Sequence, residues 1–248
     1  MTTANVPVLS LHDIRKEFGG VVAIEKFDLD VMAGEVVLLV GDNGAGKSTL
    51  IKIIAGEYQP TAGRMLIDGV EVAMTDPSAS QALGIQVVYQ DLALADMQPV
   101  YMNMFLGKEL TTGPLRRLDR ARMIAETEAM VHELDVRVPS VKTTIRDLSG
   151  GQRQGVAIAR ATHWATKLVL MDEPTAALGV AETAKVEAII LTLKARNMPV
   201  LIISHSLDQV FRLSDRICVL RRGKQIGIRT TASTGKNEIV SMITGLSR

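Results

Sequence analysis

Cysteine is nearly absent. Cys218 is the only one, so no internal disulfide can form. Its place in the apolar run Ile217-Cys218-Val219-Leu220 reads as a small packed hydrophobe. A reducing cytoplasm fits that usage. Net charge is almost absent too, at +1, and nothing in that balance calls for a nucleic-acid backbone as partner. Long apolar runs are missing. The longest, such as Val36-Val37-Leu38-Leu39-Val40, have four or five residues, whereas a transmembrane helix needs about 20. No membrane span is expected. The four histidines, His12, His132, His163 and His205, are scattered without metal-ligand spacing. The stretch Met1 to Pro7 lacks a basic run followed by an apolar block, so no secretory signal is expected. Internal repeats and low-complexity tracts do not occur.

What remains is an ordinary globular composition. The chain has 248 residues, 47% hydrophobic and 22% charged. It is long enough for a sizeable core, and one large domain is favoured over two small ones. Val8 to Leu11, Val22 to Val31, Glu35 to Val40 and Ile85 to Tyr89 read as strands. Gly63 to Gly69 reads as a strand that ends in an Asp-Gly hairpin turn. From about 91 to 147 Val and Ile thin out. Met123, Thr127, Met130, Val131 and Leu134 recur at helical spacing behind an N-cap candidate, Asp119, and the segment reads as a helical insert. An alternation then returns: helix Gln152 to His163, strand Leu168 to Met171, a helix striped by Val186, Ile189, Ile190 and Leu193, strand Val200 to Ile203, helix Ser206 to Leu213, strand Ile217 to Leu220. That rhythm means an α/β fold with a parallel sheet covered by helices.

Three motifs carry chemistry. Gly41-Asp42-Asn43-Gly44-Ala45-Gly46-Lys47-Ser48 matches G-x4-G-K-[ST] between a strand and a helix. Its glycines let backbone N–H groups turn inward around phosphates, aided by the helix N-terminus. Lys47 would reach the β- and γ-phosphates, and Ser48 would ligate Mg²⁺. Asp172-Glu173 ends the apolar run Leu168 to Met171. One carboxylate there can hold Mg²⁺ while its neighbour polarises a water, at the strand end where α/β sheets bind ligands. Ser149-Gly150-Gly151-Gln152 opens a helix whose first amides are free. This is a second anion site, one more than a single nucleotide requires.

The phosphate loop, Leu148-Ser149-Gly150-Gly151-Gln152, Asp172-Glu173-Pro174 and Ile203-Ser204-His205 occur in the order found in the ATP-binding cassettes of ABC transporters, and the resemblance covers essentially the whole chain. It implies a P-loop ATPase core, 1–90 and 148–248, with an antiparallel β-subdomain and a helical subdomain at about 91–147. It implies that Gly41 to Ser48 with Thr49 bind ATP, that Phe18 stacks on adenine, and that Gln90 joins Ser48 and Asp172 around Mg²⁺. Glu173 resembles the general base and His205 the switch histidine at the γ-phosphate, with Lys47 completing the catalytic set. Ser149, Gly150, Gly151 and Gln152 would contact ATP from a second copy, in an ATP-dependent homodimer.

The wording Gly-Asp-Asn-Gly-Ala-Gly-Lys-Ser-Thr-Leu-Ile-Lys, Val-Tyr-Gln-Asp-Leu-Ala-Leu and Asp-Glu-Pro-Thr-Ala-Ala-Leu-Gly is similar to the ATPases of bacterial monosaccharide importers of the ribose, xylose and fructose type. That implies permease subunits as partners, a periplasmic or extracellular sugar-binding protein acting indirectly, and a peripheral place on the cytoplasmic face of the membrane. Rival readings are a soluble cassette ATPase of DNA repair or translation and a P-loop kinase. Repair types insert far longer coiled coils between Gln90 and Leu148, translation types fuse two cassettes, and a kinase has no use for Ser149–Gln152. Three surface expectations complete the reading. Met97, Met102, Met104, Met123 and Met130, near Tyr89, Tyr101 and Phe105, are either a docking groove for a partner helix or core filler. The run Arg212, Arg216, Arg221, Arg222, Lys224 reads as a solvated basic face. Gly179 stands where the family usually places an Asp, and Glu182 then falls in a helical first turn, complementing the helix dipole.

Overall fold

The computed structural model describes residues 6–245. Most of the stretch read for a leader, residues 1–5, lies outside the described residues. Two sheets form the frame. The first is antiparallel: β1 (Leu9–Phe18) pairs with β2 (Val21–Ile24), β3 (Leu29–Val31) and β5 (Ala62–Ile67), and β5 pairs with β6 (Val70–Val72). The second has six strands in the order β13-β12-β4-β11-β10-β7. In it β4 (Val36–Val40), β7 (Ile85–Val88), β10 (Leu168–Asp172), β11 (Val200–Ile203) and β12 (Arg216–Arg221) run parallel, and β13 (Lys224–Thr230) closes the edge antiparallel to β12.

The parallel strands are buried on both faces, as a sheet covered on two sides requires. Side chains alternate across the pleat. In β4, Val36, Leu38 and Val40 enter one core, while Val37 and Leu39 enter the other. β10, β11 and β12 repeat that division. The first core also takes residues of α3 (Val100–Met104), α4 (Arg120–Glu133), α5 (Gly150–Trp164) and α6 (Val180–Ala195). The second takes the antiparallel sheet and α1 (Lys47–Ile54). Asp68 and Gly69 both have positive φ, 49° and 78°, which gives the β5–β6 hairpin the turn expected from Asp-Gly.

Several expectations change. Val22 to Val31 is not one strand. It breaks at Glu25 to Asp28, where Phe27 is buried and the Asp28 carboxylate accepts the Asp13 N–H at 2.8 Å. β1 runs well past Leu11, because its polar half pairs with β2 and β5. The segment 91–147 is helical only in α3, α4 and one 3₁₀ turn at Ile145–Asp147. Between α3 and α4 it holds a small hairpin, β8 (Thr111–Thr112) and β9 (Arg117–Leu118). Before α3 it is loop, held by the buried Asn103. That side chain accepts from Ala95 N–H and donates to the carbonyls of Ala95, Gln98 and Pro99. Met104, Met123 and Met130 are buried in the core, and Met102 packs partly buried against it. These four are filler, and only Met97 is largely exposed. The basic run is solvated at Arg212, Arg222 and Lys224, which are exposed, while Arg216 and Arg221 are half-buried. Arg212 pairs with Glu187, Arg216 with Glu35 and Lys224 with Glu25, and Arg221 donates to the Met242 carbonyl. α2 (Pro77–Ala82), β13 and α8 (Lys236–Thr244) had no counterpart in the sequence reading.

Candidate functional site

β4 delivers the phosphate loop. All five of its residues are buried, so the chain leaves the sheet at Gly41 from a fixed point. Gly41 has φ 152°, and a Cβ there would meet the Leu220 carbonyl oxygen at 2.1 Å. Gly46, at φ 106°, brings the loop to 2.7 Å from the Ala23 carbonyl on the same measure and forms the backbone N-cap of α1. No side chain caps α1, so its first N–H groups remain available to an anion.

Lys47 is buried. Its ammonium donates to the carbonyls of Gly41 at 2.7 Å and Asp42 at 2.9 Å, folded over its own loop. Burial pushes its pKa down, while the charges of Glu173, Asp172 and Asp42 push it back up. The Ser48 hydroxyl lies beside the Asp172 carboxylate, whose pKa burial and the neighbouring Glu173 push up while Ser48 pulls it back down. A hydroxyl and a crowded, half-buried carboxylate in contact are hard oxygen donors of the kind Mg²⁺ takes alongside phosphates and water. The residues present fit that ion.

β10 and β11 are neighbours, with Asp172 opposite Ile203. Their C-terminal ends therefore place Glu173 and His205 side by side. Glu173 sits in the left-handed region at φ 51°, and its N–H bonds the Ile203 carbonyl at 3.1 Å. Such a conformation in a residue other than glycine costs roughly 1–3 kcal/mol and is held by the surrounding structure. Its carboxylate meets His205 Nε2 at 2.6 Å. A cavity of about 180 Å³ is lined by Ala23, Asn43 to Thr49, Glu173 and His205.

Sequence reasoning missed the brace behind His205. The buried Ser204 hydroxyl donates to Gln209 Oε1 at 2.7 Å, and Gln209 Nε2 donates to the Thr175 hydroxyl at 3.0 Å. Gln209 lies in α7 (Leu207–Leu213). This network ties the loop after β10 to the loop after β11. Its one signal in the sequence is a polar residue on the inward face of a short amphipathic helix. Ala23, from β2, also lines the cavity and carries no chemical signal.

Other expected residues lie elsewhere. Phe18 is exposed and does not line this cavity. Its ring meets Tyr58 edge-on at 5.1 Å, with the Lys16 ammonium 4.8 Å from its centroid. Gln90, exposed just beyond β7, does not line it either. Ser149, Gly151 and Gln152 line a separate cavity of about 80 Å³. There Ser149 caps α5 reciprocally: its hydroxyl accepts from Gln152 N–H, and Gln152 Oε1 accepts from Ser149 N–H.

The family described as ABC transporter matches residues 24–176, more than half of the chain. The chain belongs to that family. The cassette is 42% identical over 240 residues to the xylose/arabinose import ATP-binding protein of Sulfolobus acidocaldarius, covering 97% of this chain and 95% of that one. It is 38% identical over 248 residues to the fructose import ATP-binding protein of Rhizobium meliloti, covering 98% and 95%. A nucleotide-free ATP-binding cassette from an ABC transporter superposes with a TM-score of 0.82 at 27% identity, covering 96% of this cassette and 95% of that chain. The fold is thus the ABC ATPase fold, and among the described residues no helix is long and apolar enough to cross a membrane.

Proposed function

We propose that this cassette is the ATP-hydrolysing subunit of a membrane importer for a monosaccharide. One observation carries the catalytic part. Lys47, the Ser48–Asp172 pair and the Glu173–His205 pair converge beside one phosphate-sized loop, at the C-terminal ends of β4, β10 and β11. Backbone N–H groups of Gly41 to Thr49 hold the phosphates of ATP, with Lys47 turning from its own loop carbonyls to the β- and γ-phosphates. Ser48 and Asp172 would hold Mg²⁺, with Gln90, just beyond β7, as a further ligand. When bound, the ion neutralises charge on the phosphate oxygens. Glu173 accepts the proton of the attacking water, and His205 fixes that carboxylate and touches the γ-phosphate. Phe18, next to Tyr58, supplies an aromatic face for adenine.

Ser149 to Gln152 stand apart from this cavity within one chain, which supports their contact with the ATP of a second copy in a homodimer. The segment 91–147 is the helical subdomain, set within the core 1–90 and 148–248. The import functions of the two relatives support permease subunits as partners, an extracellular sugar-binding protein acting through them, and a peripheral place on the cytoplasmic membrane face.

Two measurements test the reading. Purified protein should hydrolyse ATP in a Mg²⁺-dependent manner, and Glu173→Gln should lower turnover by about 10²-fold or more while ATP still binds. A variant that keeps over a tenth of the parent rate rejects Glu173 as base. Deletion of the gene should abolish uptake of one labelled pentose or hexose. Unchanged uptake across both sugar classes rejects the import role.

A further inference from the structure

The donors of the second anion site are already engaged, by a carboxylate of the same chain. Glu182, in the first turn of α6, reaches across to the start of α5. Its Oε1 accepts from the Ser149 hydroxyl at 3.2 Å and from Gly151 N–H at 3.2 Å, while Oε2 faces Gly179 N–H at 3.4 Å. The contact is close: a Cβ on Gly151 would lie within 2.9 Å of three Glu182 carbons. Leu178 packs beside it, 3.6 Å from where a Gly150 Cβ would stand. The N–H bonds from Gly151 and Gly179 hold the Glu182 carboxyl below its usual range, so the group is an anion at neutral pH.

Complementing the dipole of its own helix requires only the Gly179 contact. The reach to Ser149 and Gly151 requires something more, and those two are among the donors that this helix start offers to a phosphate. We propose that Glu182 is an internal stand-in for phosphate: it occupies the Ser149–Gly151 anion site of each copy and must yield those donors when the ATP of the second copy arrives. This rests on the reading of Ser149 to Gln152 as the contact to that ATP. The exchange has a defined sign. The carboxylate preorganises the loop while the site is empty, and it opposes an incoming polyphosphate by like charge and by competition for the same N–H and O–H groups. Because its other oxygen faces Gly179 N–H, Glu182 links the loop after β10 to the start of α5 for as long as the site is empty. Glu182 is thus a positioning residue that couples the two loops, with no part in bond making.

The test is run in the Glu173→Gln background, in which slowed hydrolysis should let ATP-bound dimer accumulate. Dimer fraction is followed by light scattering against Mg-ATP concentration. Glu182→Gln keeps shape and amide oxygen but removes charge. Glu182→Asp keeps charge at the helix start but shortens the reach. Both should lower the ATP midpoint of dimerisation by roughly three- to tenfold, the scale of one charge-assisted hydrogen-bond exchange. Binding of a fluorescent ATP analogue to the monomer should stay unchanged, since that site lies at Lys47. A merely structural Glu182 gives the opposite sign, with both variants raising the midpoint. An unchanged or raised midpoint in variants with native circular dichroism overturns the proposal. If the background protein fails to dimerise with ATP at all, the two-copy reading falls, and this inference falls with it.

Discussion

Single residues in this cassette are fixed by what little space surrounds them. Gly56 lies at φ 81°, and a Cβ there would meet the Asp76 carbonyl oxygen at 2.3 Å. That oxygen belongs to backbone, which cannot swing away. Gly56→Ala should cost roughly 1–3 kcal/mol through the strained φ and more through the overlap, read as a lowered urea midpoint. Cys218 shows the reverse situation, a group whose chemistry is silenced by packing. Burial pushes its thiol pKa up to about 12 from an ordinary value of 9.0. The folded protein should resist thiol reagents at pH 8 and react at once in denaturant. The sign of the pH effect follows. The folded pKa lies above the unfolded one, so this contribution to stability is complete below about pH 9 and is lost as pH rises from 9 toward 12. Cys218→Ala should flatten that alkaline loss, measured by urea melts at pH 8 and pH 10. Rapid labelling of native protein would show that the thiol is not enclosed.

Elements matter here mainly at their ends. Ser149 caps α5, and Ser149→Ala removes one side of a reciprocal cap. About 1 kcal/mol of stability should go with it, visible in a denaturant melt of the monomer without any nucleotide. The same change should also raise the ATP needed for dimerisation, and these two losses are separable because only the second depends on ATP. Gly179 is the N-cap of α6, with φ −70° and open space around a built Cβ. An Asp fits there and is a favoured N-cap. Gly179→Asp should therefore leave stability unchanged or raise it by a few tenths of a kcal/mol. It should raise the basal ATPase rate, or its cooperativity in ATP, if cross-dimer contact is limited by the missing carboxylate. Equal rates and equal Hill slopes would make Gly179 a neutral variant of the loop.

At the scale of the whole molecule one sheet divides two cores, and each buried apolar residue of its parallel strands belongs to one of them. Leu38→Ala empties a position between β4 and the helical side. It should cost about 2–5 kcal/mol and disturb the phosphate loop three residues on, so nucleotide binding should weaken in parallel with stability. A cassette held to membranes only through its permease should leave them in high salt or chaotrope. It should also stay in the supernatant of cells that lack the permease. Retention there would reveal a separate anchor.

The sequence by itself determined the chemistry and the α/β frame. A phosphate loop, a signature helix start and an acid pair at a strand end are local patterns: the backbone groups and side chains they need lie within a few residues. Short unbroken apolar runs placed the central strands β4, β10, β11 and β12, since a strand covered on both faces is apolar throughout, and a period-3.6 stripe placed α6. Tertiary structure decided everything that joins distant segments. β13 is half-exposed and only weakly patterned, and it exists because β12 offers an open edge. The methionines of the insert could serve a groove or a core, and contact with α5 chose the core. The Glu173–His205 contact spans 32 residues, and the Glu182–Ser149 contact 33. Such pairs depend on the order of strands in the sheet and on how one helix leans on another, which no local spacing encodes.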